Sequence, residues 1–427
     1  MEIKELYEKF LESGKISTDT RQIAPGSIFF ALKGDKFNAN TFASQALEKG
    51  AMYAVVDEEA YVTDDRCILV ANVLESLQKL SRHHRDQLKI PVIGLTGSNG
   101  KTTTKELLHA VLSKKFKTFA TKGNLNNHIG VPLTLLSIDR TIEMAVVEMG
   151  ANHLGEISFL CSLANPSHGL ITNIGRAHIG LFGSYENIIR AKSELYHHLI
   201  VNDGTVFINS QNEVLANMAK RFKGPVFYPA KGDFYSGELV SADPFLKIRA
   251  QNGTEVQTNL IGGYNFENVM TALCLGKYFG VDADRANEAI ASYQPDSMRS
   301  QMIQKGSNKI ILDAYNANPS SMGAAVENLA SMNADNKVLI LGDMYELEGE
   351  AEKEHQAIGQ LIRQKKFKYV YLCGKLFKSA IDVVPNAKYF ETKSALADDL
   401  KKHPLRDSTI LVKASRGIGL ETIVEFL

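Results

Sequence analysis

Apolar positions recur at helical spacing near the start of the chain, where Ile3, Leu6, Tyr7, Phe10 and Leu11 share one face of an expected helix. Pro25-Gly26 then turns the chain into an apolar strand over 27–32, and a helix over 41–49 leads to a second strand at 54–56. The polar stretch LQKLSRHHRDQLK reads as a helix that ends at Pro91, which marks a boundary. Beyond it the pattern changes. The short apolar runs IPVIGL, EMAVVEMG, HGLITNIG and GTVFINS alternate with helical segments, as parallel strands buried on both faces do. Asn252-Gly253, inside FLKIRAQNGTEVQTNL, signals an antiparallel hairpin. From SYQPDSMRS onward the alternation restarts with NKIILDAY, KVLILGD, YVYLCG and STILVKAS. The pattern predicts an α/β chain of three units. Residues 1–88 form a small α/β unit, 89–298 a central, mostly parallel sheet, and 299–427 a C-terminal Rossmann-like unit.

Composition narrows the partners. Of 427 residues, 44% are hydrophobic and 22% charged, ordinary for a globular chain with several cores. The 48 basic and 48 acidic residues balance, so binding of nucleic acid through a bulk positive field is not expected, and an anionic ligand must be held by a local arrangement. Cys67, Cys161, Cys274 and Cys373 lie far apart without a CxxC or Cys/His cluster, which argues against disulfides or a structural zinc and for the cytoplasm. The opening MEIKELYEKFLESGK lacks the apolar stretch of a signal peptide, and no run approaches the ~20 residues of a spanning helix, so no membrane insertion is expected. GxSxG, HExxH and SxxK constellations are missing.

The densest chemistry lies in IPVIGLTGSNGKTTTKELLHAVL, a strand over 91–95, a Gly-rich turn and a helix starting near Lys101. Backbone N–H groups exposed at a helix N-terminus attract phosphate through hydrogen bonds and the macrodipole. Thr96, Gly97, Ser98, Asn99, Gly100 and Thr103 are therefore candidate nucleotide contacts, Lys101 would reach the β/γ-phosphates and the Thr102 hydroxyl would ligate Mg²⁺. The strict G-x-x-x-x-G-K-[ST] pattern is broken by Leu95 at its first position, and a ligand-free turn is the competing reading. Glu148 closes the run AVVEMG, where a strand-end carboxylate can share a Mg²⁺ with Thr102. Asn265 and Asn268 lie one helical turn apart, so both amides can face a base edge. Taken alone, Asn126, Asn127 and His128 read as turn residues, His178 as a hydrogen-bonding loop histidine, Arg299 as solvated charge and Asp313 as a helix cap.

The turn TGSNGKTTTKE resembles the P-loop of the Mur ligases, amide-forming enzymes of peptidoglycan precursor synthesis. GNLNNHIGVPLTLL, VVEMGANHLGEI, ITNIGRAHIGLFGS, AKSELY, GGYNFENVM, ILDAYNANPSSM, LILGDMYELEGE and KASRGIGLE follow in family order. TGSNGKTTTKE, YNANP and GDMYEL are most similar to the branch that adds D-alanyl-D-alanine to UDP-N-acetylmuramoyl-tripeptide. The resemblance implies ATP, two Mg²⁺ ions and an acyl-phosphate intermediate. It puts Asn127 near the γ-phosphate and the reacting acyl group, and makes His178 a ligand of the second Mg²⁺. It makes Lys192, read as opening a helix, a carbamylated ligand of that same ion. Arg299 would touch the nucleotide phosphates and Asp313 the ribose, while Tyr264 stands where the family often has His. A UDP site would use Thr18, Asp19, Thr20, Arg21, Lys33 and Gly34. The acceptor dipeptide would meet Tyr315, Asn316, Asn318 and Asp343, with Glu346 close by and residues 348–354 continuing as an exposed acidic helix. The expected partners are these small molecules alone, bound by a monomer. The rival readings are another ligase of the superfamily, such as a folylpolyglutamate synthetase, and a P-loop switch protein that hydrolyses nucleotide without an acceptor.

Overall fold

The computed structural model describes residues 2–295 and 298–427; Asp296 and Ser297 of the SYQPDSMRS joint lie outside the described residues. The first helix, Ile3–Ser13, buries Leu6, Tyr7 and Phe10 and leaves Leu11 exposed. These side chains join Val73, Leu77 and Leu80 of helix Val73–Gln87 over a four-stranded parallel sheet, ordered Ile16–Ser17, Ile28–Phe30, Tyr53–Val56, Cys67–Leu69. The helix expected over 41–49 is split. A 3-10 turn, Ala39–Phe42, comes first because the Asn38 side chain accepts the Asn40 N–H, and the α-helix covers only Ala43–Glu48.

Helix Val73–Gln87 also anchors the next unit. The buried Arg85 guanidinium donates to Ala164 O (2.7 Å), Leu88 O (2.8 Å) and Asn165 O (3.0 Å), satisfying carbonyls where helix Glu156–Ala164 ends. His84 Nε2 lies 2.8 Å from Ile138 O beside it. Arg85→Met is expected to cost about 3 kcal/mol, because it strips the donors from buried carbonyls. A urea titration should show the lower midpoint.

The central sheet has six parallel strands, ordered Val226–Tyr228, Thr205–Asn209, His168–Ile171, Val92–Thr96, Met144–Glu148, Thr118–Ala120. Val92–Thr96 and Met144–Glu148 are buried along their whole length, the mark of strands covered on both faces. From Val92–Thr96 the chain visits the edge at Thr118–Ala120, returns to Met144–Glu148, then crosses to His168–Ile171 on the other side. Strand order thus reverses at Val92–Thr96, and a crevice opens at its C-terminal end. Register pairs Leu95 with Glu148, which sets that carboxylate beside the following turn. The Asn252-Gly253 hairpin is present, joining Phe245–Arg249 to Glu255–Ile261 in a three-stranded antiparallel sheet.

In the last sheet, ordered Gln301–Lys305, Asn308–Asp313, Thr409–Lys413, Lys337–Gly342, Tyr369–Cys373, Ala387–Phe390, only the first pairing is antiparallel. Register pairs Asp313 with Lys413 at the strand ends. One apolar cluster runs from Ile174, Ile179 and Phe182 of the central unit into Ala317, Met322, Met344 and Leu347 of the C-terminal one.

Two local expectations are corrected. Lys192 does not open a helix: it lies inside the 17-residue helix Tyr185–Val201, which starts earlier because the Ser184 hydroxyl caps the Asn187 N–H at 3.1 Å. Residues 348–354 are not a uniformly solvated acidic face. Glu348–Glu350 is a 3-10 turn before helix Ala351–Arg363, and Glu354 is buried, its charge met by Arg176 Nη1 at 2.7 Å from Oε1. Among the described residues no helix is long and apolar enough to cross a membrane, and the four cysteines are unpaired.

Candidate active site

The ends of the parallel strands frame a cavity of about 1110 Å³ with walls from the central and C-terminal units. Ser98, Asn99, Gly100, Lys101, Thr102 and Thr103 line it. Thr96 and Gly97, expected among the ligand contacts, do not: Thr96 is fully buried in its strand, and Gly97 packs against Thr172. At Gly97 (φ +147°) a Cβ would lie 2.0 Å from Thr172 Oγ1, and at Gly100 (φ +78°) 2.5 Å from Asn268 Oδ1, so both positions require glycine. Lys101 is the first residue of helix Lys101–Leu112 and donates to Gly97 O (2.7 Å) and Ser98 O (3.2 Å). Burial lowers its pKa, with Glu148 acting against the shift.

Glu148, 2% exposed, is surrounded by donors. Thr102 Oγ1 lies 3.2 Å from its Oε2, Asn126 Nδ2 donates to its Oε1 at 2.8 Å, and Lys105 Nζ stands 3.7 Å from Oε2. Asn126 reaches the carboxylate, whereas the Asn127 side chain accepts the Ile129 (3.1 Å) and Gly130 (2.8 Å) N–H groups as a turn cap. The loop is tight over Gly130, where an added Cβ would fall 2.4 Å from Leu125 Cα. Both asparagines still line the cavity. Lys105 was missed, although its spacing of one helical turn from Lys101 puts it on the same face.

Thr102 and Glu148 supply hard oxygen donors beside the phosphate turn, a set that suits Mg²⁺ completed by phosphate and water oxygens. Among the described residues no three His, Cys, Asp or Glu side chains converge into a self-sufficient metal cage. His178, at φ +56°, caps the short helix Ile179–Phe182, and its Nδ1 is paired with the Glu346 carboxylate of the C-terminal unit, whose pKa it lowers. Lys192, 2% exposed, donates from Nζ to Ala151 O at 3.4 Å and sits 5.5 Å from the centre of the Phe182 ring. No hydrogen bond or ion pair joins it to Glu148 or His178 among the described residues. Burial, helped by the charge of Lys101 and opposed by Glu156 and Glu194, pushes its ammonium pKa down to about 7.

Further round the cavity, Thr104 Oγ1 donates to Asn268 Oδ1 (3.0 Å), Asn268 Nδ2 to Asn265 Oδ1 (2.8 Å) and Asn265 Nδ2 to Ile261 O (2.8 Å). The two amides thus form one fixed pair. Opposite them the Arg299 guanidinium stacks 3.7 Å from the Tyr315 ring centre, and its buried Nε has no hydrogen-bond partner among the described residues. Asp313 accepts the Ser300 N–H (3.1 Å) and Lys413 Nζ (2.6 Å); the same Nζ reaches Asn316 O at 3.2 Å. Asn318 caps helix Pro319–Ser331 and bridges to Asn99.

Asp343 does not line this cavity. It is buried, and its carboxylate accepts the Leu376 (3.1 Å) and Phe377 (2.9 Å) N–H groups, capping the 3-10 turn Phe377–Ala380. Thr18, Asp19, Thr20, Arg21, Lys33 and Gly34 do not line the cavity either. Asp19 and Arg21 pair with each other at 2.7 Å on the surface, and the Arg21 hydrogen bond brings the Asp19 carboxyl down to about 2. Thr20 O accepts Lys49 Nζ at 2.8 Å, Lys33 is held by Asp57 (2.9 Å) and Glu58 (3.2 Å), and Gly34 is exposed on a two-stranded hairpin.

A P-loop at a strand-order reversal, facing a second α/β unit, is an arrangement that suits a nucleotide-dependent ligase. Residues 95–276 match the Mur ligase middle domain and 298–416 the Mur ligase glutamate ligase domain. The chain belongs to the Mur ligase family. It is 35% identical to the UDP-N-acetylmuramoyl-tripeptide--D-alanyl-D-alanine ligase of Bacillus subtilis, over 99% of this chain and 94% of that one. The Escherichia coli ligase of the same name is 34% identical, over 96% and 93%. Of solved structures, MurF from Acinetobacter baumannii superposes with a TM-score of 0.86 at 32% identity, covering 96% of this chain and 92% of that one. MurF from Thermotoga maritima, in complex with ADP, gives 0.84 at 26% identity and covers 97% of each chain.

Proposed function

We propose that this protein is an ATP- and Mg²⁺-dependent ligase that joins D-alanyl-D-alanine to UDP-N-acetylmuramoyl-tripeptide, acting as a monomer in the cytoplasm. One observation carries the reading: Lys101, Thr102 and Glu148 converge at a Gly-rich turn in a cavity whose opposite wall comes from Arg299, Asp313, Tyr315, Asn316 and Asn318. The named relatives and the ADP complex of the Thermotoga maritima protein support it.

A carboxylate oxygen is a poor leaving group. The tripeptide carboxylate therefore takes the γ-phosphoryl group of ATP, releasing ADP, and the dipeptide amine attacks the acyl carbon. Phosphate departs as the C–O bond breaks and the amine loses a proton. Lys101 and the turn N–H groups hold the transferring phosphoryl group, a task of positioning and charge stabilisation. Mg²⁺ at Thr102 and Glu148 would neutralise phosphate charge. Asn126 and Lys105 orient Glu148 and Asn127 shapes the facing loop, while Asn265 and Asn268 hold the base, Arg299 the phosphates and Asp313 the ribose. His178 and a carbamylated Lys192 would hold a second Mg²⁺, and Glu346 fixes the His178 ring. Residues 1–88 hold the UDP end through Thr18–Arg21 and Lys33-Gly34, 89–298 bind ATP, and 299–427 bring the dipeptide.

ADP release by the purified protein should require both UDP-MurNAc-tripeptide and D-Ala-D-Ala, since an acyl phosphate open to water would be wasted. Vigorous ATP hydrolysis with neither substrate would support the switch-protein reading instead.

A further inference from the structure

We propose that Asn318 is a positioning residue that transmits docking of the C-terminal unit to the phosphate turn; the inference rests on the ligase reading. The Asn99 backbone is held entirely within the central unit. Its N–H donates to Asn173 Oδ1 at 3.0 Å, and its carbonyl accepts Thr172 Oγ1 at 2.6 Å and Asn173 Nδ2 at 3.1 Å. Its side chain instead reaches across the cavity, where Oδ1 accepts Asn318 Nδ2 at 2.8 Å.

Asn318 cannot follow the turn, because its other polar groups are committed. Its Oδ1 accepts the Ser321 N–H at 3.0 Å and its own N–H donates to Ser321 Oγ at 3.1 Å, a reciprocal cap at the start of helix Pro319–Ser331. The side chain is therefore locked to the C-terminal unit and meets Asn99 only when that unit is seated. The seating is close. Arg176 N–H donates to Ser320 Oγ at 3.0 Å, Arg176 pairs with Glu354, and a Cβ on Gly180 would lie 2.6 Å from the Leu347 carbonyl carbon. Among the described residues, the Asn318–Asn99 bond is the one hydrogen bond of this seam that ends on the phosphate turn. Asn99 precedes Gly100 and Lys101, so fixing its side chain braces the segment that aims the ammonium group.

The expected signature is a loss of kcat with ATP affinity retained, because the turn N–H groups and Lys101 remain in either state. Asn318→Ser keeps a good helix cap but is too short to reach Asn99, and Asn99→Ala removes the other end. In dipeptide-dependent ADP release, each variant should lose about tenfold in kcat, with the KM for ATP within about twofold, and the double variant should be no slower than either single one. A double variant slower by the product of the two effects, or a single variant at wild-type kcat, overturns the proposal. Should Asn318→Ser melt early, Asn318→Thr repeats the cycle with another capping residue. The two readings fail differently: wild-type protein without dipeptide-dependent turnover defeats the ligase reading and this proposal with it, whereas an active wild type with additive variants defeats this proposal alone.

Discussion

Lys101→Ala is expected to lower kcat for ADP release about 10³-fold, the order seen when a preorganised donor is removed from a developing charge. Among the described residues its ammonium donates to the Gly97 and Ser98 carbonyls, both within the turn, so no hydrogen bond to another part of the fold is lost with it. Burial disfavours its charge, and the variant should melt close to wild type. A stopped enzyme with an intact melting curve is the expected pair of results. Near-normal kcat would remove Lys101 from the proposed chemistry.

Lys192→Ala should be nearly as damaging, and it has a spectroscopic signature. With a pKa of about 7, the side chain is largely a neutral amine in mildly alkaline buffer. A neutral amine adds CO₂ to give a carbamate and a proton, replacing a cation with an anion that suits a metal site. Labelled bicarbonate should therefore give a ¹³C carbamate signal in wild type that is missing in Lys192→Ala, with kcat down by about 10² or more. The sign of the pH effect follows. As pH falls through 7 the amine protonates, so carbamate and activity should both decline, and added bicarbonate should restore part of the loss. Stability carries the same direction: the unfolded lysine binds its proton up to its ordinary pKa of 10.5, so from about 7 to 10.5 the folded state gains stability relative to Lys192→Ala as pH rises. A fully active Lys192→Ala enzyme would defeat this role.

The strands and the phosphate turn were legible because each is a local pattern: a short apolar run, then glycines where only positive φ or close approach is tolerated. Glu148 was legible for the same reason, as an acid at the end of a buried strand. Asp343 ends an equally apolar strand, yet it faces the N–H groups of Leu376 and Phe377, which the local sequence does not announce. Asn126 and Asn127 are chemically identical neighbours, told apart only by the partners the fold gives them, Glu148 for one and the Ile129 and Gly130 N–H groups for the other. Lys192 was misplaced along its helix because the Ser184 cap precedes the motif. The Asn99–Asn318 bond spans 219 residues, a separation at which spacing carries no information. His178 pairing with Glu346 and Arg176 with Glu354 were hidden for the same reason.

Arg85 gives the molecule a built-in gauge. Its guanidinium ties the end of the first unit's last helix to the carbonyls of Ala164 and Asn165, and tilting one unit against the other would leave those carbonyls bare. While those bonds hold, the span from the first unit to Lys101 is a set length. In the proposed ligase, whose uridine end would sit on the first unit, a peptide extends by about 3.5 Å per residue. A stem one residue short stops that far from the phosphate turn, and one residue more must buckle to fit. Selection among such precursors can thus be made by reach, before any side chain is read.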